Sequence, residues 1–266
     1  MNILNLLIKG GIYILSCVLI TVIVFLYGIT IGSFLNVCIY RIPKKESVVV
    51  VRSHCMKCGY QLKWYDLIPL FSYLFLRGRC RKCGEKISIQ YPIIEAFNGV
   101  MYVLIFMFTG LSINTLLYCL LSSALTVIAV IDFRTYEIPF GINIFIGCLG
   151  VIRVATDLSH WTDYLIGFFS VSVPLYLLYI VTKGRGIGGG DVKLMAVSGF
   201  LIGWKCNILA FVLGCILGSV IHMIRMRVSK AEHVLAMGPY LSAGIMIAAL
   251  WGEALIDWYL RIFLNL

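Results

Sequence analysis

In 266 residues, 61% are apolar and 13% are charged, and the mean hydropathy is +0.98, which excludes an ordinary soluble domain. The net charge of +10 comes from 22 Lys and Arg against 12 Asp and Glu. Apolar runs near bilayer length, separated by short polar connections, specify an all-α polytopic membrane protein with helices and not a barrel.

The runs lie near residues 11–34, 93–110, 113–131, 139–155, 163–181, 192–204, 206–224 and 236–257. They make about eight transmembrane helices, or seven if the short, glycine-containing run around LMAVSGFLIGW is tilted, broken or shielded by its neighbours. The first run follows Lys9, leads to no small-residue cleavage site and ends in GSFLNVCIYRIP. It reads as a retained helix within a first domain, residues 1–40, and not as a cleaved signal peptide.

Residues 41–91 follow as a small basic domain with 11 Lys and Arg against Glu46, Asp66 and Glu85. About fifty residues bury too little apolar surface to be secure alone, so a staple is expected. Cys55, Cys58, Cys80 and Cys83 supply one, as C-x2-C, 21 intervening residues, C-x2-C. Gly59 and Gly84 give each CxxCG knuckle the turn that aims two thiolates at one tetrahedral ion. Two disulfides are the rival reading, and a cytoplasmic location favours zinc. With four thiolates completing a structural site, the adjoining His54 reads as a surface residue. Cys17, Cys38, Cys119, Cys148, Cys206 and Cys215 lack ligand spacing and read as small packing residues.

Orientation follows from the basic residues. With 41–91 inside, cytoplasmic connections hold 18 of the 22, leaving Lys9, Arg153, Lys205 and Arg261 outside. Both termini then lie outside. The positive charge is a topology signal with a secondary attraction to anionic membrane lipid, and needs no nucleic acid to explain it.

Residues 92–266 form the remaining transmembrane domain, which carries two acids at span ends. Asp132 ends TVIAVID, and Asp191 follows the glycines of GIGGGDVKL. An even number of crossings separates them, so both emerge on the cytoplasmic face. Paired carboxylates divide into an acid and a base, the chemistry of aspartic proteases. The glycines then permit close approach by an extended peptide and unusual backbone angles, while Pro139 restricts Ile138 and sets the start of the next helix. Helix caps and solvated interfacial residues explain the two acids at least as well on residue physics alone. Lys193 reads as a snorkelling anchor in the same loop, and Glu95, near the start of the second span, as an interfacial carboxylate or a group that attracts an amine.

The ordered set GSFLNVCIYRIP, the two cysteine pairs, LIPLFSYLFLRGRCRKCG, YPIIEA, Asp132 with Pro139, GGGD and MGPYL resembles the prepilin peptidases, the type IV leader peptidase and prepilin N-methyltransferase family of GxGD-type bacterial membrane aspartic proteases. The resemblance implies a catalytic pair, Asp132 and Asp191, with Gly188, Gly190 and Lys193 in the active-site loop and no metal there. It implies cleavage of basic leaders from prepilins or pseudopilins after a glycine, at the cytoplasmic face of the bacterial inner membrane. It also implies methylation of the new N-terminus with S-adenosylmethionine, associated with the N-terminal region, where Glu95, Gly78, Asn36 and Arg41 match family positions. Phe140 stands where a polar residue is common, and LAMGP replaces the usual IPFGP. A presenilin-like or signal-peptide-peptidase-like protease, a transporter and a non-catalytic zinc-bearing scaffold are the alternatives. The four-cysteine domain opposes the first, and the lack of internal repeats opposes the second.

Overall fold

The computed structural model describes the backbone of residues 3–50, 52–229 and 235–263 and the side chains of 16–50, 52–228 and 235–262, so the Lys9 side chain lies outside the described residues. The chain divides into two compact units, Met1–Thr115 and Leu116–Leu266.

The first unit is built on two helices, α1 (Ile3–Arg41) and α3 (Gln90–Thr109). Helix α1 outruns the expected 11–34 at both ends. Nothing in GSFLNVCIYR breaks a helix, and it stops at Arg41 because Pro43 disfavours the helical conformation at Ile42. The two helices cross with their backbones in contact, since a Cβ on Gly28 would lie 2.8 Å from the Gly99 Cα and one on Gly32 would lie 2.8 Å from the Glu95 Cα. Gly28 and Gly32 form a small-xxx-small stripe of the kind that lets membrane helices approach closely. Buried Asn98 seals the crossing by donating to the Gly28 carbonyl at 2.8 Å. Between these helices lie a 3₁₀ turn, Trp64–Leu67, and the short α2 (Phe71–Phe75).

Helix α4 (Ile113–Thr135) leads into the second unit, which continues through α5 (Phe140–Thr156), α6 (Trp161–Ser170), α7 (Ser172–Val181), α8 (Gly189–Ile202), α9 (Trp204–Ser229) and α10 (Gly238–Phe263). The run expected at 163–181 is therefore two helices meeting at Val171. Pro174 supplies no N–H and its ring opposes the carbonyl four residues earlier, which breaks the ladder there.

Helix α8 is the short run that sequence singled out. Its 14 residues extend about 21 Å at 1.5 Å per residue, less than a hydrocarbon core of about 30 Å. It is shielded by neighbours, packing against α5, α6, α7 and α9 with Leu194, Met195 and Leu201 fully buried. Gly167 of α6 and Gly199 of α8 bring the two backbones into contact. Asn207 of α9, also fully buried, donates to the Gly167 and Met195 carbonyls at 3.1 Å each and accepts from Ser198 at 3.2 Å. A buried amide so fully used ties three helices together in a medium where unpaired polar groups are costly.

All eight expected runs are helical. Among the described residues, six are long and apolar enough to cross a bilayer: Ser16–Arg41, Gln90–Thr109, Ile113–Thr135, Leu158–Val181, Trp204–Val228 and Gly238–Ile262. The other two are α5 and α8. The chain is a multi-pass membrane protein.

Candidate active site and metal centre

Asp132 lies in the last turn of α4 and is buried. Its Oδ2 accepts the backbone N–H of Gly238, the first residue of α10, at 2.8 Å. The carboxylate thus faces a helix N-terminus, whose free N–H groups and dipole favour an anion. A Cβ on Gly238 would lie 2.7 Å from that same oxygen, so the position has room only for glycine. Pro239 next to it suits a first turn, where its missing N–H costs nothing.

Asp191 occupies the first turn of α8, with Gly188 as N-cap. The glycines before it do not take unusual backbone angles: Gly188 has φ −76° and ψ 139°, and among residues 186–190 none has positive φ. That expectation is corrected, and close packing takes its place. A Cβ on Gly190 would lie 2.9 Å from the Ile138 Cβ, and one on Gly188 would lie 3.0 Å from Asp191 Oδ2. The glycines let the start of α8 sit against Ile138, which Pro139 holds at the entrance to α5. Pro139 is indeed the N-cap of that helix, with φ −62° and ψ 126°.

Asp132 and Asp191 line one cavity of about 310 Å³. Tyr136, Glu137, Ile138 and Phe140 form one wall, and Gly188, Gly189, Gly190 and Lys193 another. The Lys193 Nζ lies 5.0 Å from the centroid of the Phe140 ring, a cation–π arrangement at the edge of the site. Phe140 therefore has a partner where a polar residue would have offered a hydrogen bond. Tyr136, Glu137 and Gly238 are site residues that sequence reasoning missed. MGPYL held the signal for Gly238, a glycine beside a proline at a helix start, but not which acid it would face.

The four cysteines meet as expected. Their sulfur atoms all lie within 4.8 Å of one another, with Cys55 to Cys83 at 3.8 Å and Cys58 to Cys80 at 4.0 Å. Thiolates about 2.3 Å from a tetrahedral zinc ion stand about 3.8 Å apart, so the donor set fits that ion. Each pair sits in the same turn. Cys55 N–H bonds to the Tyr60 carbonyl at 2.9 Å and Cys80 N–H to that of Glu85 at 2.8 Å, while Gly59 and Gly84 have φ +67° and +71°. The amides of Cys58 and Lys57 hold the Cys55 thiol down to about 6. The Glu85 amide pulls Cys83 the same way, but burial and the three neighbouring sulfurs outweigh it and push that thiol up to about 12. Four sulfurs this close ionise together only around a cation. Exposed His54 stays outside the cluster. Of the other cysteines, Cys38 and Cys119 are buried, Cys206 and Cys215 are half-buried, and Cys17 and Cys148 are exposed.

Glu95, Asn36, Arg41 and Gly78 all serve the first unit internally. Buried Glu95 accepts the Leu70 N–H at 2.8 Å and a hydrogen bond from Ser33. Asn36 donates to the Tyr91 carbonyl at 3.1 Å and accepts from Gln90 at 3.4 Å. Arg41 donates to the Ser47 carbonyl at 3.1 Å. Gly78, with φ +67°, turns the chain against Tyr73. Glu95 and Arg41 thus tie the segment between the helices to the helix pair, Asn36 ties α1 to the start of α3, and Gly78 shapes the segment itself.

Residues 26–109 match the model of the bacterial peptidase A24 N-terminal domain, and residues 119–223 that of the type IV leader peptidase family. A prepilin leader peptidase/N-methyltransferase of Bacillus subtilis (strain 168) is 32% identical, over 91% of this chain and 99% of its own length. Proteins of the same description from Aeromonas hydrophila and Pseudomonas putida are 30% and 28% identical, over 91% and 85% of this chain and 94% and 88% of theirs. No solved structure matches. With its acid pair, its four-cysteine segment and this near full-length similarity, the chain belongs to the type IV leader peptidase family.

Proposed function

We propose that the chain is a membrane aspartic endopeptidase that removes the basic leader from type IV prepilins or pilin-like precursors after a glycine, with Asp132 and Asp191 as its catalytic pair. The observation that carries this reading is the convergence of two acids, 59 positions apart, on one cavity. Two carboxylates at one site share a proton and so divide the work. The ionised member takes a proton from water, whose oxygen bonds to the scissile carbonyl carbon, while the protonated member donates to the carbonyl oxygen. Collapse of the tetrahedral species breaks the C–N bond, and the leaving amine takes up a proton. The Gly238 N–H orients one of the acids throughout, and the step needs no metal.

The distribution of Lys and Arg orients the protein in the bacterial inner membrane with residues 41–91 and both acids on the cytoplasmic side and both termini outside. A substrate helix then stays in lipid while its basic leader remains in water. Cys55, Cys58, Cys80 and Cys83 hold a structural zinc ion, which would supply the tie that so small a segment needs. Residues 1–40 and 41–91 are associated with methylation of the new N-terminus, the activity named in the relatives, with S-adenosylmethionine as methyl donor. Glu95, Gly78, Asn36 and Arg41 contribute by building that region, and residues 92–266 form the peptidase domain.

The test is cleavage of a full-length prepilin in detergent by wild type, Asp132→Asn and Asp191→Asn, with S-adenosylmethionine present and the products weighed. Cleavage after glycine by wild type, reduced on the order of 10²–10⁴-fold or more in each variant, supports the pair, and a product heavier by one methyl group supports methyl transfer. Full activity in either variant removes that acid from catalysis. Inactive wild type points to a wrong substrate or to the zinc-bearing scaffold.

A further inference from the structure

Residues 64–75 carry six exposed apolar side chains in twelve positions: Trp64, Leu67, Ile68, Phe71, Leu74 and Phe75. Phe75 is 83% exposed and Leu74 71%. So many exposed apolar side chains within one short stretch of a basic segment mark an interaction surface. The hydrogen bond from the Leu70 N–H to Glu95 gives its depth. Glu95 stands five residues into α3, a helix of membrane-spanning length that begins at Gln90, which is about 8 Å along the axis. It is also level with Gly32 of α1, nine residues before that helix ends at Arg41, or about 14 Å. The chain therefore leaves α1, forms the first cysteine knuckle and folds back alongside the helix pair, so that Leu70 reaches a level inside the apolar span. Leu70 has φ +61° and ψ −51°, a strained conformation for a side-chain-bearing residue, and buried Glu95 holds it there.

We propose that residues 64–75 form an apolar hook seated in the lipid of the leaflet on the cysteine-cluster side. Glu95 and Gly32 lie just inside the apolar runs 93–110 and 11–34, and at such a boundary interfacial segments bury their apolar faces about 5–10 Å into the headgroup and acyl region. Its flanks carry the complementary charge: Lys63, Arg77 and Arg79 are exposed beside it, positioned for anionic headgroups. The hook presses the four-cysteine segment onto the membrane surface, where a substrate's leader emerges from lipid. This placement rests on the membrane reading of α1 and α3 and on the proposed substrate only for its purpose.

The experiment leaves Trp64 as the sole tryptophan, with Trp161, Trp204, Trp251 and Trp258 changed to Phe in the full-length protein. The protein is reconstituted in phosphatidylcholine–phosphatidylglycerol vesicles. Expected are blue-shifted Trp64 emission, strong quenching by lipids brominated near the headgroup end of the acyl chain, and little quenching by aqueous acrylamide. Quenching by acrylamide and not by bromolipid puts the hook in water and overturns the proposal. Quenching by neither means that protein covers it, another part of this chain, a second copy or a substrate, and overturns it equally. If the tryptophan replacements disturb folding, benzoylphenylalanine at Phe75 in the otherwise native chain gives the same answer. Lipid adducts support the hook, and adducts to peptide alone or to nothing reject it. Prepilin cleavage by the same preparations reads the peptidase separately, so a hook found in water leaves the acid pair standing.

Discussion

The four thiols and the two carboxylates are both assembled from separated stretches of chain, but by different means. Each thiol pair is made locally, by a turn of six residues closed by two backbone hydrogen bonds, and the turn is used twice. The acids have no such local frame. One ends α4, the other begins α8, and the group that holds Asp132 is the amide of Gly238, 106 positions away. The first centre rests on two local turns and on the ion proposed for it, and the second on helices meeting at glycines. Substitutions should therefore fail in different ways at the two centres.

The largest effect is expected at the thiols. Cys58→Ser should abolish stoichiometric metal binding and leave residues 42–89 open to protease, since structural zinc in small domains contributes about 10–16 kcal/mol of apparent binding free energy at neutral pH. Metal content per chain and limited proteolysis check it, and a metal-free, protease-resistant segment would break the comparison. Gly238→Ala comes next. Its methyl group meets Asp132, and overpacking of this kind costs about 1–3 kcal/mol. Each 1.4 kcal/mol taken from the transition state is tenfold in rate, so kcat for prepilin cleavage should fall tenfold or more with KM little changed. Gly199→Ala places its methyl against the Gly167 backbone, away from the cavity residues. Its cost is expected in the same range of stability, read as a lower melting temperature in detergent, with a smaller loss of kcat than Gly238→Ala. Equal loss of rate in the two glycine variants would mean that Gly238 acts through α10 packing and not through Asp132.

The same contrast explains what was legible beforehand. The cysteine centre could be read from spacing, because C-x2-C-G fixes its own geometry. The membrane helices could be read from apolar runs, although Pro43 set where α1 stops and Pro174 cut the fifth run into α6 and α7. Asp132 and Asp191 were visible as acids at span ends. That they share a cavity required the packing of α4, α5, α8 and α10, and residue physics alone slightly favoured a capping or interfacial role. Asp132 in fact faces the N-terminus of α10, so the bland reading and the functional one describe the same atoms. Glu137 and Tyr136 follow no motif, and enter the site only because Tyr136, at φ +55°, turns the chain out of α4 past the cavity. The hook at 64–75 was hidden for a similar reason. Its apolar residues carry no motif or period that says what they face, and it is the bond from Leu70 to Glu95 that brings them alongside α3.

The smallest expected effect lies in the ion pair beside the cysteine centre, Asp66 with Arg81 at 2.7 Å. Burial alone would raise the Asp66 carboxyl, but the Arg81 side chain, the Lys63 amide and the Tyr60 hydroxyl outweigh it and hold it below the usual carboxylate range. A carboxyl depressed in the folded state adds stability that is fully present above its unfolded value, near 3.9, and is lost as pH falls through the lower folded one. Arg81 is about half exposed, so solvent screening limits the contribution to about 1 kcal/mol or less. Acid also protonates the thiols and releases metal, so wild type alone does not isolate this contribution. The difference between wild type and Asp66→Asn does, because both share the same metal site. Denaturant titrations of the two are expected to differ at pH 7 and to converge as pH falls below the usual carboxylate range; a difference that persists at full protonation would assign the loss to packing around Asp66 and not to its charge.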